Sequence, residues 1–361
     1  MFLIRADGNE KTGMGHIMRC LTIGAELAKL DLREEVLFLC ADEGSAGPVQ
    51  QRGFQALVLG TDYRDMVSEL SCWERILDGW HSWAFCGEAH SEVRTADLQQ
   101  DTRPVILADS YYVTDEYLEG LRRFGLVALM DDLGEKRYPS DVVINYNLTA
   151  DLESYRRLYD GTGTKLLLGS AYVPIREQFL NRDYRVRDKA ERVLITVGGG
   201  DPENITGRIL QELLDEKLEY HVVAGRFNPH YQALAQMAGS HGNVHLHCNV
   251  ENMADLMMMA DLAVSAGGST IYELALLGVP FICFSCAENQ EPLTRYIDVH
   301  ALAGYAGAFH KEPQAAAEQM GMLFRRLVSE EGLRRQYHCS EKKLAHGLGA
   351  RRLALALAEL C

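Results

Sequence analysis

The chain has 361 residues, of which 47% are hydrophobic and 24% charged, a composition typical of a globular protein with more than one core. Its formal net charge of −15 at pH 7 argues against a general nucleic-acid binder, because such proteins carry basic surfaces. Nine cysteines, an odd number, argue against a disulfide framework and indicate a reducing compartment.

The first residues do not resemble an export signal, because Arg5, Asp7 and Glu10 interrupt the apolar start. No apolar run in the sequence approaches the roughly 20 residues that a membrane-spanning helix needs. We therefore expect a cytoplasmic protein with no membrane partner.

Short continuous apolar runs in the first half predict strands that are buried on both faces. They lie at residues 2–4, 36–40, 56–59, 105–108, 126–130, 142–144 and 166–168. Helical patterns follow several of these runs, which predicts right-handed crossovers and a parallel sheet. Residues 71–103, rich in polar and aromatic side chains, are interpreted as loops and short helices.

The charged segment at residues 174–191 predicts a linker, after which a second alternating series begins. Its predicted strands lie at residues 193–197, 221–224, 244–247, 262–265 and 280–284. Its predicted helices lie at residues 205–214, 231–237, 253–259, 271–277 and 292–299, and two more helical segments follow at 313–346 and 349–360.

These series predict an α/β protein with two Rossmann-like, doubly wound domains that face a central cleft, which is the GT-B arrangement. We place the first domain at residues 1–175, the second at 190–345, and a C-terminal helix that packs back across the domains at 346–361. In such a protein the ligand lies between the carboxyl ends of both sheets.

The first motif is Gly13-x-Gly15-His16, between the first predicted strand and a helical pattern. Two glycines let the backbone approach a ligand and expose amides at the helix start. The helix dipole disfavours imidazolium there, so a neutral, base-competent His16 is one interpretation. A tight turn with an incidental histidine is the other.

Acidic residues end two neighbouring predicted strands, Asp109 in the first and Asp131 with Asp132 in the second. Paired acids at carboxyl ends of strands can bind a divalent metal ion, or they can cap turns and helices. We favour capping, and we expect neither a metal site nor a cofactor.

The strand at residues 193–197 leads into Gly198-Gly199-Gly200-Asp201-Pro202. The amides of Gly199 and Gly200 are candidates for holding a phosphate or a sugar oxygen, while Asp201 is a candidate helix cap. A flexible turn is the alternative interpretation.

The strongest motif covers residues 265–280, where small residues follow a strand and open a helix. The amides of Gly267 and Gly268 and the hydroxyls of Ser269 and Thr270 suit a diphosphate. Glu273, one turn into the helix, suits both hydroxyls of a ribose. A capping box between Ser269 or Thr270 and Glu273 is the alternative, and both interpretations can hold together.

The loop after the next strand carries Asn289 and Gln290, whose amides can donate to and accept from sugar hydroxyls and acetamido groups. Taken alone, this segment is an ordinary polar loop.

Together these segments resemble the PseG family, the UDP-2,4-diacetamido-2,4,6-trideoxy-β-L-altropyranose hydrolases of pseudaminic acid synthesis. The resemblance covers nearly the whole chain. It rests on the GxGHxxRC signature of residues 13–20, on Asp109-Ser110-Tyr111, on residues 143–147 and 168–179, and on the later GGxDP and GGSTxYE motifs. Residues 267–278 and Asn289-Gln290 are also similar to the N-acetylglucosaminyltransferase of peptidoglycan synthesis.

The resemblance implies hydrolysis of a UDP-sugar without a metal ion, with water attacking the anomeric carbon and UDP leaving with inversion. It implies His16 as the base or water-positioning group, and Tyr111 and Asn289 beside the sugar. It also implies that Ser269, Thr270 and Glu273 hold UDP. Gly200 stands where the family often has serine. A GT-B glycosyltransferase and a non-catalytic nucleotide-sugar-binding protein are the competing hypotheses, and we expect a monomer.

Overall fold

The computed structural model describes residues 1–9, 13–32, 35–79, 103–225 and 228–360. Seven parallel strands form the first sheet, in the spatial order β3-β2-β1-β4-β5-β6-β7. They are β1 (Phe2–Ala6), β2 (Val36–Cys40), β3 (Gln55–Val58), β4 (Val105–Asp109), β5 (Leu126–Met130), β6 (Val142–Asn145) and β7 (Lys165–Leu168).

Six parallel strands form the second sheet, in the order β10-β9-β8-β11-β12-β13. They are β8 (Arg192–Thr196), β9 (Glu219–Ala224), β10 (Val244–Cys248), β11 (Leu262–Ala266), β12 (Phe281–Ser285) and β13 (Gly304–Ala308). In both sheets the order of the strands therefore reverses next to the first strand, between β1 and β4 in one sheet and between β8 and β11 in the other. Such switch points are where open α/β sheets bind ligands.

In the described part of the chain, five α-helices accompany the first sheet: α1 (Gly15–Leu27), α2 (Glu43–Gln51), α3 (Leu70–Gly79), α4 (Asp115–Leu121) and α5 (Leu152–Leu158). Eight follow in the second half: α6 (Ile205–Leu213), α7 (Tyr231–Ser240), α8 (Met253–Met259), α9 (Thr270–Leu277), α10 (Glu291–Val299), α11 (Pro313–Ser329), α12 (Glu331–Glu341) and α13 (Gly349–Ala358). The helix predicted at residues 313–346 is therefore two helices, because the backbone leaves the helical region at Glu330 (φ −104°, ψ 92°).

One further expectation was wrong. Strand β13 was not predicted, since its sequence Gly-Tyr-Ala-Gly-Ala lacks an apolar run. In the segment interpreted as loops and short helices, residues 70–79 form α3, and residues 80–102 lie outside the described part of the chain.

The predicted linker is not merely a charged connection, because its apolar residues are buried. Ile175, Phe179 and Tyr184 are at most 4% exposed and belong to one apolar cluster with residues of α1, α9 and α13. Helix α13 returns to the first domain, where Arg352 Nη1 donates to the carbonyl oxygen of Ala171 at 2.9 Å. Burial of this apolar surface ties both domains together.

One buried acid at the end of α12 is poorly satisfied. Glu341 Oε1 accepts a hydrogen bond from the Phe281 amide at 3.1 Å, and Oε2 has no partner among the described residues. Burial raises the pKa of Glu341 well above its usual value, although the Phe281 amide works in the opposite direction. The folded protein therefore keeps this proton at a pH where the unfolded chain has released it.

We predict that Glu341→Gln flattens the pH dependence of stability. For a raised pKa the wild-type free energy of unfolding falls as the pH rises above about 4.3, the value for an unperturbed Glu. The variant has no proton to lose there, so its free energy of unfolding at pH 8 should exceed that of the wild type by about 1 kcal/mol or more. Urea unfolding at pH 5 and pH 8 measures this, with exposed Glu216→Gln as the matched control. Equal pH slopes for the wild type and Glu341→Gln would contradict it.

Candidate active site

The switch point of the first sheet places His16 at the start of α1. Gly13 has a φ of +73°, a left-handed conformation that favours glycine, and it turns the chain from β1 into the helix. A Cβ atom added at Gly15 would meet no atom within 4 Å. The backbone therefore borders open space at the point where His16 begins the helical turn.

His16 and Asp109 form a buried pair across this switch point. The Nδ1 atom of His16 lies 2.6 Å from Oδ1 of Asp109, the last residue of β4. Because a carboxylate only accepts, Nδ1 carries the proton that is donated to Asp109, and in the neutral form of the imidazole the lone pair is on Nε2. The Tyr111 ring packs edge-on against the imidazole, with ring centroids 4.5 Å apart.

Arg19, three residues after His16 on the same face of α1, contacts the same carboxylate. Its Nε donates to Asp109 Oδ2 at 2.6 Å, and its Nη2 donates to Oδ1. Its Nη1 and Nη2 also donate to the two carboxylate oxygens of Asp132 at 2.9 and 2.8 Å. Nη1 donates in addition to the Tyr146 hydroxyl at 2.8 Å. We assigned no role to Arg19 from the sequence; its i, i+3 spacing from His16 was the available signal.

The charge of Asp109 follows from these partners. Burial alone would raise its pKa, but the positive charge of Arg19 and the hydrogen bonds from Arg19 and His16 outweigh burial and lower it well below its usual value. Asp109 is therefore a carboxylate throughout the physiological pH range. Neighbouring Cys20 stays a thiol, since burial and Asp109 raise its pKa.

The preference for capping fits one of the three acids. Asp131 Oδ1 accepts the amides of Leu133 and Gly134 at 3.1 and 3.0 Å, as a turn cap does. For Asp109 and Asp132 the expectation was wrong, because both bind the Arg19 guanidinium. Among the residues that the structure describes, no group of three or more His, Cys, Asp or Glu side chains is arranged to hold a metal ion.

A recess opens beside His16 at the carboxyl ends of β4 and β5. Asp132 and Arg19 form a charged part of its lining, while Val113 and Leu133 form an apolar part. Leu133 is 49% exposed, so its side chain is open to a ligand. The recess thus offers both polar and apolar contacts within reach of the imidazole.

The glycine loop after β8 lies opposite the start of α1. A Cβ atom at Gly199 would stand 3.7 Å from the backbone nitrogen of Met14. Asp201 accepts the amides of Ile205 and Thr206 at 2.6 and 2.9 Å, which confirms it as the cap of α6. Gly199 therefore lies next to the histidine motif, whereas a Cβ atom at Gly200 would meet only Pro202 Cδ, at 3.9 Å.

The second glycine motif follows β11 at the other switch point. Ser269 makes no capping hydrogen bond from its side chain, so no capping box from Ser269 is present. A Cβ atom at Gly268 would meet no atom within 4 Å. Glu273 is held by Arg176, whose Nε and Nη2 donate to its two oxygens at 2.8 and 2.9 Å. Both carboxylate oxygens of Glu273 are therefore engaged by an arginine, and the side chain is buried.

Two hydrogen bonds join the domains across the cleft. Asn289 Nδ2 donates to the Tyr111 hydroxyl at 3.3 Å, and the Leu148 amide donates to the Tyr272 hydroxyl at 3.2 Å. Asn289 thus contacts the tyrosine that packs edge-on against His16. Gln290, in contrast, turns Oε1 back onto the Cys286 amide at 2.8 Å, so this oxygen is not open to a sugar hydroxyl.

Curated relatives support the resemblance, although no protein-family model matches the chain. An uncharacterized protein of Methanocaldococcus jannaschii is 23% identical over 80% of the chain, and this match spans 56% of that protein. The spore coat polysaccharide biosynthesis protein SpsG of Bacillus subtilis is 24% identical over 99% of the chain and 97% of its own length. The UDP-2,4-diacetamido-2,4,6-trideoxy-beta-L-altropyranose hydrolase of Campylobacter jejuni is 24% identical over 82% of the chain and 95% of its own length.

Solved structures with the same architecture cover almost the whole chain at low identity. MurG of Acinetobacter baumannii superposes with a TM-score of 0.61 at 12% identity, covering 99% of both chains. The UDP-GlcNAc 2-epimerase of Neisseria meningitidis, bound to UDP-GlcNAc, has a TM-score of 0.61 at 11% identity, over 99% of this chain and 100% of its own. The fold is therefore GT-B, and the resemblance to the UDP-2,4-diacetamido-2,4,6-trideoxy-β-L-altropyranose hydrolases is confirmed by a curated homologue of that name.

Proposed function

We propose that this chain hydrolyses a UDP-linked 2,4-diacetamido-2,4,6-trideoxy sugar at its anomeric carbon, releasing UDP and the free sugar for pseudaminic acid synthesis. The observation that carries the proposal is the His16–Asp109 pair, which lies at the helix start that the Gly199 loop of the second domain approaches. The names of the relatives supply the sugar.

In the proposed reaction His16 Nε2 takes a proton from a water molecule while the water oxygen bonds to the anomeric carbon. The bond from that carbon to the UDP oxygen breaks, and its electron pair leaves with UDP. The configuration at the anomeric carbon inverts, because water enters opposite the leaving group. Asp109 positions the imidazole and stabilises the imidazolium that forms, and a base in this role contributes roughly 10²–10⁴-fold to the rate.

The leaving diphosphate needs positive surroundings, which helix N-termini supply without a metal ion or cofactor. Helix α9 begins at Thr270, and the space next to Gly268 is open. The amides of Gly267 and Gly268 donate to the carbonyl oxygens of Phe284 and Ala266, both at 2.8 Å, so the expectation that they hold the diphosphate is wrong. We propose that Ser269 and Thr270 hold the diphosphate, with Gly199 on the opposite loop.

The recess beside His16 suits the proposed sugar. A 6-deoxy sugar with two acetamido groups carries three methyl groups, and Val113 and Leu133 offer apolar contacts. Tyr111 and Asn289, joined by a hydrogen bond at 3.3 Å, offer polar contacts beside the imidazole. A glycosyltransferase on this fold would release UDP only when an acceptor is present, so turnover without an acceptor separates the two functions.

We predict that His16→Asn lowers the kcat for UDP release from UDP-2,4-diacetamido-2,4,6-trideoxy-β-L-altropyranose by roughly 10²–10⁴-fold. Asparagine removes the base and leaves the second domain unchanged, so UDP should bind with wild-type affinity in calorimetry. His300→Asn, at an exposed histidine after α10, is the matched control and should keep full activity. Undiminished turnover by His16→Asn would remove His16 from the mechanism.

We also predict that Glu273 discriminates UDP from 2′-deoxy-UDP. A charged hydrogen-bond acceptor for a ribose hydroxyl should give the wild type a preference for UDP of roughly tenfold or more. Glu273→Gln should lose most of that preference while binding 2′-deoxy-UDP much as the wild type does. Calorimetry with both nucleotides measures it. Equal affinities of the wild type for the two would show that Glu273 serves only its pair with Arg176.

A further inference from the structure

We propose that Arg19 is a positioning residue that sets the protonation state of His16. It keeps Asp109 available as the acceptor for the Nδ1 proton, and it cancels enough negative charge for the imidazole to stay neutral. The catalytic consequence rests on the proposed function, in which His16 is the base. The electrostatic claim concerns His16 itself and can be tested without any turnover.

The guanidinium contacts two acids, one of which also holds the histidine. His16 Nδ1 and Arg19 Nη2 both bond to the same oxygen, Oδ1 of Asp109, and the two nitrogens are 3.1 Å apart. Asp132 lies on another side of the guanidinium and is 16% exposed, whereas Asp109 is fully buried. Any change at Arg19 therefore acts directly on the hydrogen bond that orients the imidazole.

The donors of Arg19 match the acceptors around it. A guanidinium has five N–H groups, and five hydrogen bonds leave it: two to Asp109, two to Asp132 and one to the Tyr146 hydroxyl. A lysine at this position would carry the same charge but offer three donors from a single point. The fork, and not charge alone, holds both carboxylates in place.

Besides these acids, Asp131 lines the same recess, and its carboxylate accepts from the amides of Leu133 and Gly134 and from the Tyr155 hydroxyl. Burial raises the pKa of Tyr111, which packs on the imidazole, and that of Tyr146, which accepts from Arg19. Burial and Asp109 raise the pKa of the Cys20 thiol, whose sulfur lies 3.4 Å from Asp109 Oδ2. Within the part of the chain that the structure describes, the charged groups at this cluster are thus Asp109, Asp132 and Arg19, with Asp131 farther along the recess lining.

Removing the arginine would leave two carboxylates beside the imidazole. An uncompensated anion stabilises imidazolium, which is the wrong form for a base, and the effect is large where water is excluded. Arg19 therefore allows a buried aspartate to orient the histidine without converting it to a cation. This role explains why Arg19 makes five hydrogen bonds on the Nδ1 side of the imidazole.

The experiment is an NMR titration of the His16 imidazole with isotope-labelled histidine, in the wild type and in Arg19→Gln and Asp132→Asn. In Arg19→Gln the midpoint of the His16 titration should move upward by about one pH unit or more. In Asp132→Asn, which removes an anion, the midpoint should move downward. The low-pH limb of the kcat profile should move in the same directions. A purely structural role for the pair would not give shifts of opposite sign.

The matched control is Arg5→Gln, in strand β1 of the same domain. Arg5 is also buried and bonds two acids, with Nη1 2.6 Å from Asp7 Oδ2 and Nε 2.8 Å from Glu69 Oε2, but no hydrogen bond joins it to His16 among the described residues. The Arg5→Gln variant should be less stable than the wild type, but the midpoint of its His16 titration should be unchanged.

An unchanged His16 midpoint in folded Arg19→Gln, or an equal shift in Arg5→Gln, would overturn the proposal. If Arg19→Gln does not fold, Arg19→Lys and Asp132→Asn decide: the former should give a smaller upward shift, the latter the downward one, and no shift in either refutes it. Titration shifts as expected without any hydrolysis of the UDP-sugar would instead refute the proposed function alone.

Discussion

The carboxylate of Asp109 is a full charge placed where water cannot reach it, and the chemistry of the cleft depends on how that charge is satisfied. Arg19 and His16 supply its hydrogen bonds, at 2.6 Å from Arg19 Nε and 2.6 Å from His16 Nδ1. Removing one partner of a buried ion pair costs about 3–5 kcal/mol, because the other charge stays buried alone. The same bond that satisfies Asp109 fixes the tautomer and direction of the imidazole.

The two sheets explain why this pair lies in a cleft. In each sheet the order of the strands reverses beside the first strand, and this reversal opens a space at the carboxyl ends of the strands. The first space contains His16, and the loops of Gly199 and Gly268 border the second. The buried linker and α13 join the domains through a shared apolar cluster, and Asn289 reaches the Tyr111 hydroxyl across the gap. In the proposed function the binding groups and the base therefore come from different domains.

The parts of the fold that were predictable from sequence are those governed by local patterns. Continuous apolar runs marked the strands, and Asp201 after three glycines marked a cap. Strand β13 was missed because Gly304 and Gly307 leave its sequence without an apolar run. The role of Arg19 was missed for a different reason. Its acid partners are 90 and 113 residues away in the chain, and only the parallel pairing of the strands brings them together.

The same limit applies to Glu273 and Asp109. Local spacing marked both as polar groups at a cleft, but the pairing of Glu273 with Arg176 depends on the path of the linker. From the sequence we considered only capping and metal binding for Asp109. The structure shows a third role, in which Asp109 binds an arginine one helical turn beyond the histidine. Interactions that depend on tertiary contacts cannot be predicted from local sequence patterns, even where the patterns identify the residues involved.

The central claim is that water attacks the anomeric carbon from the His16 side, and not a phosphorus atom of UDP. Hydrolysis of UDP-2,4-diacetamido-2,4,6-trideoxy-β-L-altropyranose in water enriched in oxygen-18, followed by mass spectrometry of the nucleotide, tests it most directly. Attack at carbon leaves all phosphate oxygens of the released UDP unlabelled. Labelled UDP, or no release of UDP unless an acceptor is added, would contradict the claim.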